Sequence, residues 1–150
     1  MKIICVGKIK ESFYKEAILE YLKRLSKYTN ISIIEVDDCD FDNISLTLEK
    51  EKNDILKHIS EKDYIITLDI EGNNITSLDF SKKLENTLIV NSNITFVIGG
   101  SYGLHSDVKK RSNYSLSFSK MTFPHQLFRV ILLEQIYRAY RIINNESYHK

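Results

Sequence analysis

Five apolar segments of strand character alternate with helical patterns along the whole chain, and this alternation constrains the fold more than any other feature. Lys2–Val6, Ile31–Val36 (rich in isoleucine and valine), Tyr64–Ile70, Ile94–Ile98 and the alternating Tyr114–Phe118 read as strands. Between them, Ser12–Lys27 places Phe13, Ala17, Ile18, Tyr21, Leu22 and Leu25 on one helix face, with Ser12 expected as N-cap. Helices are also expected over Ser45–Ser60, over Ser77–Val90, and from Pro124, in a first turn that tolerates proline, to about Ile143. Gly72-Asn73-Asn74 reads as a turn. Strand alternating with helix predicts an α/β fold, a mainly parallel sheet with helices on both faces. At 150 residues the chain is expected to form a single domain, residues 1–150.

Parallel sheets bind ligands at the carboxyl ends of their strands. That rule singles out Leu68-Asp69-Ile70, Gly99–Gly103 and the segment from Phe118 to His125. Only five glycines occur, and three of them are Gly99, Gly100 and Gly103. Such a cluster is either a plain tight turn or a place where backbone approaches a ligand. Ser119-Lys120-Met121-Thr122-Phe123-Pro124-His125 is a second loop of small, polar or soft side chains. It suits an adenine ring, or serves simply as a connection into the last helix.

Charge is unevenly spread. Residues 1–30 balance at +4, residues 31–90 at −8 and residues 91–150 at +5, by count of Lys/Arg against Asp/Glu. Basic ends around an acidic middle suit an anionic partner such as nucleic acid, although solvated helix faces produce the same pattern. His125 and Arg129 are four apart at the start of the last helix, where the dipole disfavours cations unless they meet a phosphate or carboxylate. Glu134, Arg138 and Arg141 read as a surface salt-bridge ladder. The tail Tyr148-His149-Lys150 carries groups that stack on bases and bind phosphate.

Several classes are disfavoured. The longest apolar runs fall far short of the roughly 20 residues that span a bilayer, and Lys8 and Lys10 interrupt any signal-like start, so a cytoplasmic protein away from membranes is expected. Cys5 and Cys39 make neither a disulfide framework nor a metal site, and His58, His105, His125 and His149 lack partners at ligand spacing, so no metal is expected. Gly7 after the first strand and Glu35 in the second suggest a dinucleotide site, but the glycine fingerprint is missing.

The runs Phe96–Leu104 (FVIGGSYGL) and Leu116–Gln126 (LSFSKMTFPHQ) resemble signatures of the ribosomal RNA large subunit methyltransferase H family. So do Arg129, Glu134–Ala139 (EQIYRA) and Tyr148-His149-Lys150, with looser likeness at Val6-Gly7-Lys8, Tyr21 and Arg24-Leu25. The resemblance implies a SPOUT-type fold with a C-terminal trefoil knot, an exception to the rule against threaded chains. It implies a homodimer that uses S-adenosyl-L-methionine to methylate N3 of a pseudouridine in 23S rRNA, on the assembled ribosome. By the same resemblance Leu68, Gly99, Gly100 and the loop Phe118, Ser119, Lys120, Met121, Thr122 and Phe123 would hold the cofactor. His125, Arg129, Glu134, Tyr148, His149 and Lys150 would hold the target nucleotide. A non-catalytic ribosome-binding factor, or a SPOUT enzyme acting on another RNA, are the alternatives.

Overall fold

The computed structural model describes residues 1–39 and 41–149. Five parallel strands form one sheet: β1 (Lys2–Val6), β2 (Ser32–Val36), β3 (Tyr64–Asn74), β4 (Ile94–Ile98) and β5 (Tyr114–Ser117), in the order β2-β1-β4-β3-β5. The helices are α1 (Ser12–Leu25), α2 (Ile44–Leu56), α3 (Ser77–Val90), α4 (Ser106–Arg111) and α5 (His125–Ile143).

Alternation along the strands divides the core in two. Ile3 and Cys5 of β1, with Ile94, Phe96 and Ile98 of β4, face a layer made by α1, α3 and α5. Ile4, Val6 and Val97 face the opposite layer, where Ile55 of α2 and Val108 of α4 cover them. Every strand pairing is parallel, so each connection crosses over a face, and both faces are covered as the pattern predicts.

Some local expectations are corrected. Helix α1 begins at Ser12 itself, with Glu11 at the N-cap and no side-chain cap bond, and it ends at Leu25 rather than Lys27. Helix α2 starts at Ile44, because Asn43 Oδ1 accepts the Ser45 and Leu46 amides, and it stops at Leu56, short of Ser60. Pro124 stands at the N-cap of α5 instead of within its first turn. Gly72-Asn73-Asn74 is not a turn but the end of β3, past an irregularity at which Leu68 and Asn73 both register with Leu116. Helix α4 was not foreseen.

One buried interaction ties the carboxyl ends of β1 and β2 to α5. The Arg129 side chain is fully buried. Its guanidinium donates to Glu35 Oε1 at 2.6 Å, to the Val6 carbonyl at 3.0 Å and to the Gly7 carbonyl at 2.5 Å. Glu35 Oε1 also accepts the Ile9 amide at 3.0 Å, and Gln126 Oε1 accepts the Lys10 amide at 2.8 Å. The carboxylate that Arg129 meets is thus one of its own chain.

Removing one partner of such a network strands the other. Arg129→Met should lower the unfolding free energy in urea by about 2–3 kcal/mol, whereas Arg24→Met, which loses an exposed pair with Glu20 and stacking over Tyr21 and Tyr137, should lower it far less.

Candidate active site

The loops that follow β3, β4 and β5, together with the first turn of α5, enclose a cleft of about 860 Å³. That volume suits a drug- or nucleoside-sized ligand. Leu68, Gly99, Gly100, Phe118, Ser119, Met121, Thr122 and Phe123 line it, and so does His125. Lys120 does not: its Nζ reaches back to the Ile70 carbonyl at 3.2 Å and ties the third loop to the end of β3.

Glycine at position 99 is dictated by a close approach. A Cβ there would lie 2.6 Å from the Gly103 carbonyl carbon, so no other residue fits this turn. Gly103 closes the turn at φ +79°, its amide bonded to the Gly100 carbonyl at 3.0 Å. Side chains pin the third loop. Ser119 Oγ accepts the Met121 amide at 2.9 Å, and Ser117 Oγ donates to the Ile70 and Ser119 carbonyls at 3.2 and 3.1 Å. Phe118 and Phe123 bracket Phe128 of α5, with ring centroids 5.1 and 6.1 Å away. The cleft therefore combines fixed backbone groups with an aromatic wall.

The remaining predicted residues gather elsewhere. The tail turns back on α5 at Asn145, whose φ is 54°. Tyr148 donates its hydroxyl to Glu134 Oε1 at 3.1 Å, packs edge-on against Tyr137, and lies under the Arg138 guanidinium. Burial and the neighbouring Glu134 carboxylate push the Tyr148 phenol up to about 12. Glu134 also pairs with Arg138 at 2.6 Å, and His149 Nδ1 lies 3.3 Å from the same guanidinium. The ladder read along α5 is only partly there, since Arg141 pairs with Glu146 at 2.8 Å instead of extending it. Along the helix, Glu134 and Arg138 lie about 14 Å and 20 Å beyond His125. Within one chain the candidates thus form two groups, His125 beside the cleft and Glu134, Tyr148 and His149 down α5. Arg129 is buried between, where no nucleotide reaches its guanidinium, and Lys150 lies outside the described residues.

Two features escaped the sequence reading. Asp69 and Lys109 pair at 2.6 Å on the cleft wall. Glu51 of α2, only 3% exposed, lies beneath the glycine turn, with both carboxylate oxygens 3.1 Å from where a Cβ on Gly100 would stand. Helix α4, which carries Lys109, spans barely two turns, too short for periodicity to reveal it. Its one signal was His105-Ser106-Asp107, where His105 Nδ1 accepts the Asp107 amide at 3.1 Å. Among the described residues, no cluster of three or more histidine, cysteine or acidic side chains is placed to hold a metal, and no helix is long and apolar enough to cross a membrane.

Sheet and cleft together define an α/β protein that takes a ligand at the carboxyl ends of parallel strands. Known proteins sharpen this. The family described as "Predicted SPOUT methyltransferase" matches residues 1–149. The protein named ribosomal RNA large subunit methyltransferase H from Clostridium botulinum (strain Hall) is 59% identical, over 100% of this chain and 99% of its own. Ribosomal RNA large subunit methyltransferase H 1 of Clostridium perfringens (strain SM101) is 56% identical, over 99% and 98%. Among solved structures, a probable methylase family protein from Haemophilus influenzae Rd KW20 superposes with a TM-score of 0.53 at 14% identity, covering 99% of this chain and 70% of that one, and shares the fold. The chain belongs to the SPOUT methyltransferases and, within them, to the ribosomal RNA large subunit methyltransferase H family.

The buried Glu51 carboxyl gives the site region a pH signature. Burial raises it from 4.5 to about 6, with Asp38 adding to the shift and the Cys39 amide opposing it. The folded state therefore holds this proton more tightly than the unfolded state. Glu51's contribution to stability is fully present below pH 4.5 and is lost as pH rises through 6. Relative to the parent protein, Glu51→Gln should gain about 1–2 kcal/mol between pH 4.5 and pH 7.5 in parallel thermal unfolding series.

Proposed function

We propose that the protein is an S-adenosylmethionine-dependent methyltransferase that modifies N3 of a pseudouridine in 23S rRNA, with the assembled ribosome as its substrate. The observation that carries the reading is the cleft itself. Its walls are three strand-end loops, the last two within the runs that resemble the family's signatures, and relatives more than half identical over their full length bear the ribosomal RNA methyltransferase name.

The residues present fit the methyl donor. The tight turn that Gly99 permits, where a Cβ would strike Gly103, presents backbone at the cleft edge, and Phe118, Phe123 and the fixed loop groups between them suit an adenine ring. Leu68, Gly99, Gly100, Phe118, Ser119, Met121, Thr122 and Phe123 would hold it, with Lys120 bracing their loop. When bound, it supplies a methyl group already activated on a sulfonium. The chain must then exclude water, align the acceptor nitrogen and lower the cost of removing its proton.

The tail group suits that last task. N3–H of the base is a weakly acidic imide flanked by two carbonyl oxygens. A guanidinium only donates, so a bond from Arg138 makes His149 Nδ1 an acceptor and leaves the proton on Nε2. His149 then offers its Nε2–H to an imide oxygen, while Tyr148, whose single hydroxyl proton goes to Glu134, holds that carboxylate and the tail in place. The His149 donor stabilises the imide anion as the proton leaves. Arg129 acts as a positioning residue, holding the loop at Gly7 against which the His125 ring lies.

The distance along α5 favours a second copy. The tail group of one protomer lies some turns of helix from its own cleft. Two α5 helices packed antiparallel would bring one protomer's tail to its partner's cleft, which supports a homodimer as the functional unit. The family's C-terminal knot belongs to the same reading, since β5 and α5 carry the loop that closes the cleft.

Labelled methyl groups should pass from S-adenosylmethionine to one pseudouridine of assembled ribosomes, and poorly or not at all to free 23S rRNA. Bound cofactor with no transfer to any RNA would favour a non-catalytic ribosome-binding factor. Tyr148→Ala and His149→Ala should each cut turnover by about 10- to 100-fold while leaving cofactor affinity within about twofold. Mixing His149→Ala protomers with Gly99→Val protomers should restore activity, because one composite site per mixed dimer stays intact. Absence of restoration in a verified mixed dimer would overturn the shared-site reading.

A further inference from the structure

The Asp69–Lys109 pair stands at the end of β3, where the ladder with β5 breaks. Leu68 and Asn73 share the same partner, Leu116, so Asp69–Gly72 stand out of register as a bulge. Gly72 passes so near β5 that a Cβ would sit 2.8 Å from the Ser115 and Leu116 carbonyl carbons. The bulge throws Asp69, Ile70 and Glu71 onto the cleft wall, facing Lys109 of α4. Asp69 Oδ1 accepts the Glu71 amide at 3.2 Å, and Oδ2 meets Lys109 Nζ at 2.6 Å. The Asp69 side chain is 13% exposed and that of Lys109 is 40% exposed.

Stability alone does not account for the pair. Helix α4 and the residues after it are anchored without it: Val108 is fully buried, Ser112 Oγ bonds Thr67 Oγ1 at 2.9 Å, and Asn113 Oδ1 accepts the Ile65 amide at 2.8 Å. A pair with one partner this exposed adds little to folding. Its placement is the informative part. Lys109 is the only lysine or arginine on the cleft wall among the described residues, and it keeps donors to spare, since Nζ meets Asp69 alone.

We propose that this pair binds the zwitterionic amino-acid end of the methyl donor, with Lys109 taking the α-carboxylate and Asp69 the α-ammonium. The inference rests on the cofactor reading above. Adenine and ribose are uncharged and suit the aromatic and backbone walls. The α-amino and α-carboxylate groups are a positive and a negative charge side by side, and they complete an alternating square with Asp69 and Lys109. A ligand of the same nucleoside without that end loses the complement.

The test compares two probes by calorimetry on the intact protein: S-adenosylhomocysteine, which keeps the amino-acid end, and 5′-methylthioadenosine, which lacks it. The parent protein should bind the first at least about tenfold more tightly. In Asp69→Asn and in Lys109→Met that preference should shrink to under about threefold, with methylthioadenosine affinity unchanged within about twofold. A preference that survives in both variants overturns the proposal. So does an equal weakening of both probes, which would mark the pair as structural support. Failure of the parent protein to bind either probe would instead overturn the cofactor reading on which the proposal stands. Lys109 is exposed on a short helix, so Lys109→Met keeps the test decisive if Asp69→Asn folds poorly.

Discussion

The buried Arg129–Glu35 contact is the constraint from which the working end of the protein is organised. It joins three segments distant in sequence: the carboxyl end of β1 with the loop after it, the carboxyl end of β2 and the second turn of α5. A guanidinium removed from water needs several acceptors, and here a carboxylate and two main-chain carbonyls supply them. Because those carbonyls belong to Val6 and Gly7, the position of α5 relative to the sheet edge is set by charge-assisted bonds as well as by apolar packing. The cleft inherits that precision, since His125 and Phe128 come from the first turn of the same helix.

The sheet presents backbone-lined loops on one side of α5 while the tail decorates the helix farther along. Neither feature is sufficient for a group transfer. The loops form a receptacle with an aromatic wall and one cation, and the tail provides donors arranged around Glu134 and Arg138. The separation between them is a property of helix rise, not of side-chain choice.

Much of the fold was legible because its central strands, β1, β4 and the first half of β3, are buried while its helices are amphipathic. The continuous run Ile94–Ile98, ending in two glycines, and the amphipathic Ser77–Val90 could hardly be read otherwise, and both boundaries match the structure. The composition of Gly72-Asn73-Asn74 misled, because a bulged strand and a turn draw on the same residues; here Asn73 and Asn74 side chains bond the Ser115 and Ser117 carbonyls across the sheet. Helix α4 carries too few residues for a period. In the site, the loops could be placed by the strand-end rule, but side-chain pairings across long separations could not. Nothing local to Arg129 says that its partner is Glu35, and nothing at Asp69 points to Lys109. The buried Glu51 under the glycine turn was hidden for the same reason, lying on a helix that otherwise reads as charged and solvated.

The left-handed residue Asn145 has a consequence for how an RNA would be met. It folds the last residues back along α5, where Arg141 holds Glu146 and the Ser147 carbonyl while Tyr28 donates to Glu146. Asparagine tolerates that conformation better than most side chains. A terminal segment usually carries its disorder into the encounter and loses it on binding, at a cost in affinity. This one is already ordered through Tyr148 and His149 before any substrate arrives. On the proposed reading, recognition of the nucleotide would resemble docking onto a preformed surface more than folding around a guest.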